Sequence, residues 1–416
     1  VLKPALDGRG MSGINIPPLD FFNNTFRNTW CRRTDCDGRA ALPSSAVRRH
    51  GPNDFKRAQS AALLQGERDH TRFNCGLGRA IERKTMTVRF GLLGAGRIGK
   101  VHAKAVSADA KAKLVAVADA FPAAAQAIAD AFGCDVRTIE AIEAASDIDA
   151  VVICTPTDTH ADLIERFARA GKAIFCEKPV DLDAERVRAC LDVVEQTGGK
   201  LMVGFNRRFD PHFMAVRKAI DEGRIGDVEM VTIISRDPGA PPVDYIKRSG
   251  GIFRDMTIHD FDMARFLLGE EPVTVTAHAA VLVDPEIGKA GDYDSVSVIL
   301  QTASGRQAVI SNSRRATYGY DQRIEVHGSK GVVSAENQRA VSIEIANGEG
   351  YTRPPLHDFF MTRYTEAYAN EIAGFIAAIE EGATISPSGK DGLAALLLAD
   401  AAVKSVTEKR QIEVAL

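Results

Sequence analysis

The sequence predicts an α/β protein. Its first folded half should be a parallel, doubly wound sheet, and its second half a strand-rich unit closed by two long helices. Three observations carry this. An apolar run at 88–93 leads into Gly94-Ala95-Gly96-Arg97-Ile98-Gly99 and then into the helical stretch KVHAKAV. Strand and helix patterns alternate from there to residue 205, which is the signature of βαβ units. Beyond residue 227 strand-like runs dominate, until the apolar helical stretches 359–381 and 389–409.

Composition narrows the class. A chain of 416 residues has room for two domains, and its 45% hydrophobic and 26% charged content is that of a globular protein. No run of about 18 apolar residues occurs, so no membrane span is expected, and no charged start leads into an apolar signal core. Cytoplasm is the expected compartment. The seven cysteines are scattered, and Cys31 and Cys36 lack a second pair, so reduced thiols are expected rather than a disulfide framework or a zinc module.

The net charge of −3 conceals an asymmetry, because residues 1–85 hold 15 Lys and Arg against 8 Asp and Glu. A basic segment invites a nucleic-acid reading. Here, however, the charges are interspersed with Gly, Pro, Asn and Ser and no apolar period holds, so disorder without nucleic-acid binding is expected. The chain opens on Val1, while Met86-Thr87-Val88-Arg89-Phe90 begins a strand directly. The expectation is that Met86 is the natural start and residues 1–85 an upstream extension.

The glycine turn has a physical logic. Gly94 permits the turn, Gly96 admits a pyrophosphate close to the backbone, and Gly99 allows the helix to pack on its strand. The helix N-terminus adds amide donors and a favourable dipole. A second strand, 113–118, ends in Asp119, twenty residues past Gly99. A carboxylate there accepts both ribose hydroxyls of an adenosine and repels a 2′-phosphate, which favours NAD over NADP. The alternative is that Asp119 only caps the helix near Pro122. Arg97 offers its charge either to a 2′-phosphate or to the pyrophosphate.

Strand 149–154, helix 159–170, strand 172–176, helix 183–197 and strand 200–205 continue the alternation, with Gly171 and Gly198-Gly199 as stops. Ligands of such sheets sit at the carboxyl ends of the strands. Two of those ends carry polar residues: Thr155-Pro156-Thr157-Asp158-Thr159-His160, and Glu177-Lys178-Pro179. An ammonium at Lys178 would hydrogen-bond a reacting oxygen and favour its deprotonated form, unless it merely pairs with Glu177 on the surface. His160 reads as a first-turn helix residue making local hydrogen bonds.

A connecting helix at 210–222 opens the second half. Strands follow at 227–235, 273–282, 295–301, 306–311, 323–327, 332–335 and 341–345. Between the first two lies RDMTIHDFD, in which Asp255 and His259 are four residues apart and would share one helical face. Either the carboxylate orients the imidazole, or the stretch is a solvated polar stripe. A metal site from His259 with Asp255, Asp260 or Asp262 finds no further clustered His or Cys, so no metal is expected.

These motifs converge. GAGRIGKVHA, CTPTDTH, FCEKP, GFNRRFD and GGIFRDMTIHDFDMARFLLG, in that order, resemble the glucose-fructose oxidoreductase/inositol dehydrogenase/rhizopine catabolism (Gfo/Idh/MocA) family, and YGYDQRIEVHGSKG is similar to its myo-inositol 2-dehydrogenase branch. The resemblance covers 86–416. It implies a Rossmann domain at 86–207, then an α/β domain at 208–416 with a large, mostly antiparallel open sheet used in homotetramer formation. It also implies NAD-dependent oxidation of a polyol, with myo-inositol going to 2-keto-myo-inositol. Alternatives are another inositol isomer, a pyranose, or a catalytically silent NAD-sensing regulatory protein.

By the same resemblance Lys178, Asp255 and His259 form a catalytic trio: His259 removes the hydroxyl proton, Asp255 orients the imidazole and Lys178 holds the oxygen. Gly94, Gly96, Arg97, Ile98, Gly99, Asp119, Thr155, Pro156, Glu177 and Lys178 are the expected cofactor contacts. Arg207 and Tyr320 are expected in the substrate pocket with the trio, and the segment 237–248, with Pro238, Pro241 and Pro242, is expected to shape it.

Overall fold

The computed structural model describes residues 87–416, so the expected extension at 1–85 and the expected start at Met86 lie outside the described residues. The first layer contains β1 (Val88–Leu93), α1 (Arg97–Ala108), β2 (Ala112–Ala118), α2 (Pro122–Phe132), β3 (Asp135–Val136) and α3 (Ile139–Ala144). It continues with β4 (Ala150–Ile153), α4 (His160–Arg169), β5 (Ala173–Cys176), α5 (Ala184–Gln196) and β6 (Leu201–Val203). The strands form one parallel sheet in the order β3-β2-β1-β4-β5-β6. Helices cover both faces, so central strands read as unbroken apolar runs; all four residues of β4 are buried. Strand order reverses between β1 and β4, which opens a crevice at their carboxyl ends.

The chain crosses into the second layer through α6 (Pro211–Asp221), whose N-cap Asp210 accepts from the amides of His212 and Phe213. Then come β7 (Val228–Arg236), α7 (Val243–Ser249), a π-turn at Phe253–Thr257 and α8 (Ile258–Leu268). The remaining elements are β8 (Pro272–Ala280), α9 (Pro285–Lys289), β9 (Ser295–Thr302), β10 (Gln307–Ser313), β11 (Asp321–Gly328), β12 (Gly331–Ala335), β13 (Ile345–Asn347) and β14 (Gly350–Thr352). They end with α10 (Phe360–Arg363), α11 (Thr365–Glu380), α12 (Gly389–Glu408) and β15 (Ile412–Glu413).

The second sheet runs β12-β11-β7-β10-β9-β8-β15 and is antiparallel except at β7–β10. Its strands alternate: in β9, Val296, Val298, Leu300 and Thr302 point inward while Ile299 is nearly half exposed. Helices α8 and α12 pack on the inner face. Helix α12 also packs on α5 and β6, and α11 on α1, so both layers share one core. Leu396 and Leu398 of α12 are fully buried, a contribution of about 1.5–3 kcal/mol each. A polar bolt accompanies them: Arg208 Nε and Nη2 donate to Asp262 (2.8 and 2.6 Å) and Nη2 also to Asp391 (2.9 Å), which caps α12.

Two sequence expectations are corrected. The alternating stretch 341–345 does not join the large sheet; Val341, Ile343 and Ile345 are exposed, and only Ile345 enters a strand, in the β13–β14 ribbon. Period-two alternation marks a strand only where one face has a core to meet. The helix expected at 359–381 is two, interrupted at Tyr364, whose buried ring packs against Phe213 and Tyr320 while the adjacent Arg363 pairs with Asp210. Among the described residues no helix is long and apolar enough to cross a membrane.

Candidate active site

The glycine turn joins β1 to α1 at the crevice. Its three glycines answer to three different constraints. Gly94 has φ +97° and a Cβ would meet the Cys154 carbonyl oxygen at 2.5 Å; at Gly99 a Cβ would meet the Gly94 carbonyl oxygen at 2.0 Å. Those two are required by the chain itself. At Gly96 a Cβ meets nothing within 4 Å, and as N-cap of α1 it receives no side-chain cap. Open space above uncapped amides fits a pyrophosphate, so these residues suit a dinucleotide. Arg97 is exposed and Ile98 partly buried at the same helix start.

Asp119 lies at the carboxyl end of β2. Its Oδ2 accepts from the Ala95 amide (2.6 Å) and its Oδ1 from the Phe121 amide (2.7 Å), so it braces the glycine turn and the start of α2 together. Each oxygen keeps a second lone-pair direction for a ribose hydroxyl. Thr155 and Pro156 sit at the end of β4, where Thr159 Oγ1 donates to Thr155 Oγ1 (2.6 Å). The His160 ring nitrogens lie 2.8 Å from the carbonyl oxygens of Thr155 and Pro179. His160 therefore ties the ends of β4 and β5, a longer reach than the local bonding its position predicts. Glu177 is buried, with Oε1 2.7 Å from His102 Nε2.

Lys178 reaches from the end of β5 to the other layer. Its Nζ donates to the Asp255 carbonyl oxygen (2.8 Å) and lies 3.9 Å from Asp255 Oδ1. His259, at the start of α8, stands edge-on to Phe205 at the end of β6, with ring centroids 6.1 Å apart. Burial, then the charges of Lys178 and Arg207, push its pKa well below the ordinary histidine value. The ammonium is thus near enough for its charge to bear on the imidazole, which is neutral.

The expected Asp255–His259 contact is not present. His259 Nδ1 is buried and makes no hydrogen bond among the described residues. The Asp255 carboxylate is claimed elsewhere: Tyr245 donates its hydroxyl to Oδ1 (2.8 Å), and Arg314 Nη1 and Nη2 lie 3.3 Å from Oδ2. The π-turn also breaks the regular α spacing on which the side-by-side expectation rested.

Arg207 belongs to a buried polar network. It is buried, and its Nη1 donates to Ser235 Oγ (2.9 Å) and to Asp260, which also accepts from Ser235 Oγ (2.6 Å) and Asn312 Nδ2 (2.8 Å). It ties the segment after β6 to β7 and α8. Asp260 and Asp262 are thereby bound to Arg207 and Arg208. Among the described residues no group of three or more His, Cys, Asp or Glu side chains is arranged to hold a metal ion. Tyr320 is buried edge-on against Phe359 and Tyr364.

Sequence reasoning missed Arg314, and gave Asp237 and Tyr245 no role beyond their place in the segment 237–248. Burial, opposed by Arg314 and reinforced by Asp255, pushes the Asp237 carboxyl up to about 7. Tyr245 lies in α7, inside the segment expected to shape the pocket. Arg314, in NSRRATYGYD, had one available signal: an arginine following a strand end, close before the tyrosine motif.

Two family models match. Residues 88–205 match the oxidoreductase family with NAD-binding Rossmann fold, and residues 213–334 match the GFO/IDH/MocA C-terminal domain. An inositol 2-dehydrogenase of Rhizobium meliloti (strain 1021) is 87% identical over 330 residues, which are 79% of this chain and all of that protein. A myo-inositol 2-dehydrogenase of Thermotoga maritima is 43% identical over 328 residues, 78% of this chain and 98% of the relative. The crystal structure of a scyllo-inositol dehydrogenase from Lactobacillus casei with bound NAD(H) and scyllo-inositol is 30% identical, covers 79% of this chain and 99% of its own, and superposes with a TM-score of 0.74. Because both family models match, one after the other along the folded chain, and a relative is 87% identical over its whole length, this chain belongs to the Gfo/Idh/MocA family of NAD-binding oxidoreductases.

Proposed function

We propose that this protein is an NAD-dependent inositol 2-dehydrogenase that oxidises myo-inositol to 2-keto-myo-inositol. The observation that carries the reading is the approach of Lys178, from the end of β5, to the π-turn and α8 of the other layer, where its charge bears on neutral His259. NAD, when bound along the glycine turn, supplies the hydride acceptor. His259, being neutral, is able to take the proton of the reacting hydroxyl. Lys178 holds that oxygen and favours its anionic form. Asp255 acts on Lys178 rather than on the imidazole: its carboxylate and carbonyl oxygen keep the ammonium aimed. Arg207, Tyr320 and Asp237 border the polyol, and a partly buried, polar wall of this kind suits a substrate with many hydroxyls.

The relatives' names support the cyclitol, and the name of the 43% identical Thermotoga maritima enzyme supports the myo isomer. The folded chain divides in this reading at 86–207 and 208–416. The open face of the large sheet, with half-exposed Met230 and Ile299, supports assembly into a homotetramer, and the free cysteines support a cytoplasmic location. The test is a panel of myo-inositol, scyllo-inositol, D-chiro-inositol and glucose with NAD or NADP, following absorbance of the reduced cofactor. Myo-inositol with NAD should give the highest kcat/KM; equal, negligible rates with all four would end the reading.

A further inference from the structure

Arg314 follows the last residue of β10 and is the largest of the fully buried side chains, with 1% of its surface exposed. A cation so placed is costly unless it is paired. Its ion-pair partners within 4 Å are two carboxylates. Nη1 and Nη2 both lie 3.3 Å from Asp255 Oδ2, and Nη2 lies 3.6 Å from Asp292 Oδ2. Asp292, in turn, accepts from the Ile252 amide through Oδ1 (2.9 Å), at the residue before the π-turn. Gly251 makes this approach possible: it has φ +81°, and a Cβ there would stand 2.8 Å from Asp292 Oδ1.

The π-turn is therefore held at two points, at its entry by Asp292 and at its middle by Arg314, and the two holders are joined to each other. The second oxygen of Asp255 is fixed independently by Tyr245 of α7. None of these hydrogen bonds or ion pairs is made to a residue of the glycine turn or of the ends of β1, β2 and β4.

We propose that Arg314 and Asp292 form a positioning pair for turnover: Arg314 aims the Asp255 carboxylate, Asp292 anchors the π-turn, and together they set where Lys178 and His259 meet. Neither residue touches the reacting atoms. The inference rests on the catalytic reading of Asp255 above, and the experiment separates the two.

The variants are R314M, R314K, D292N and, as control, D255N, with the double variant R314M/D255N. Each is assayed for kcat and KM with myo-inositol and for the primary deuterium isotope effect of substrate labelled at the reacting carbon. NAD affinity by fluorescence titration and thermal melting complete the set. R314M should lose about 10²-fold in kcat, the scale on which ångström misplacement acts. R314K and D292N should lose less. In all three the isotope effect on kcat should rise, because hydride transfer becomes slow relative to product release. NAD affinity should stay within twofold, and R314M/D255N should be no worse than D255N alone, as expected of residues acting as one unit.

Wild-type kcat in folded R314M would overturn the proposal. So would losses that merely track the folded fraction with an unchanged isotope effect, since that is what a structural residue gives. If R314M does not fold, D292N decides on the same criteria. Normal turnover in D255N would instead sink the assigned role of Asp255 itself.

Discussion

His259 and Asp237 show how burial favours the neutral form of a base and of an acid alike. The imidazole is surrounded by Phe205 and two cations, so its charged form is disfavoured and it is available as a base. His259→Ala or Lys178→Ala should lower kcat/KM by about 10² or more, the usual worth of a positioned acid–base group, with NAD titration unchanged. Near-normal rates in both would remove the mechanism. For Asp237 the sign is worked from a folded pKa of about 7 against 3.8 in the unfolded chain. Between those values the folded state binds more protons, so this carboxyl's contribution to stability falls as pH rises through the window and levels off above it. Asp237→Asn lacks that loss. Its stability relative to the parent should therefore increase from pH 4 to pH 7 in chemical denaturation of the ligand-free protein; parallel curves would contradict the assignment.

At the level of elements, the glycine turn and α12 make separable demands. Because Gly96 has open space where Gly94 and Gly99 have backbone, Gly96→Ala should melt close to the parent, within the ~1 kcal/mol or so of an N-cap change, yet lose at least about tenfold in NAD affinity. An equal loss of fold would show that the space is not the cofactor's. Helix α12 is pinned across both layers by Arg208, Asp262 and Asp391. Arg208→Met leaves buried Asp262 without its main partner and should cost about 3–5 kcal/mol in denaturant unfolding. The Asp391 carboxyl is held down at about 2, first by Arg208 against the cost of burial. Its stabilisation is present above the ordinary carboxylate range and is lost as pH falls through that value. Acid unfolding of the parent should thus be steeper near pH 2–4 than that of Arg208→Met.

Across the whole molecule, deletion of residues 1–85 should leave kcat, KM and melting temperature intact, since both family matches begin at or after residue 88. A fall in turnover on deletion would give that segment a role. Local signals made much of the rest legible. Strand, glycine turn and helix at 88–99 identify themselves because each residue's reason is local: apolar period, positive φ, and helix start. Lys178 was legible because a strand end followed by proline points at a ligand edge. The partners of Asp255 were not. Four-residue spacing named His259, whereas the fold supplied Tyr245 from α7 and Arg314 from just beyond β10, 59 residues further along the chain than Asp255. Likewise 341–345 has a strand's alternation but no core to alternate against. The chain alone determined the elements, the cofactor turn and the types of group the site employs. Only tertiary structure decided which charge answers which, because Coulombic and hydrogen-bond partners are chosen by distance in space, and burial sets how strongly each is felt.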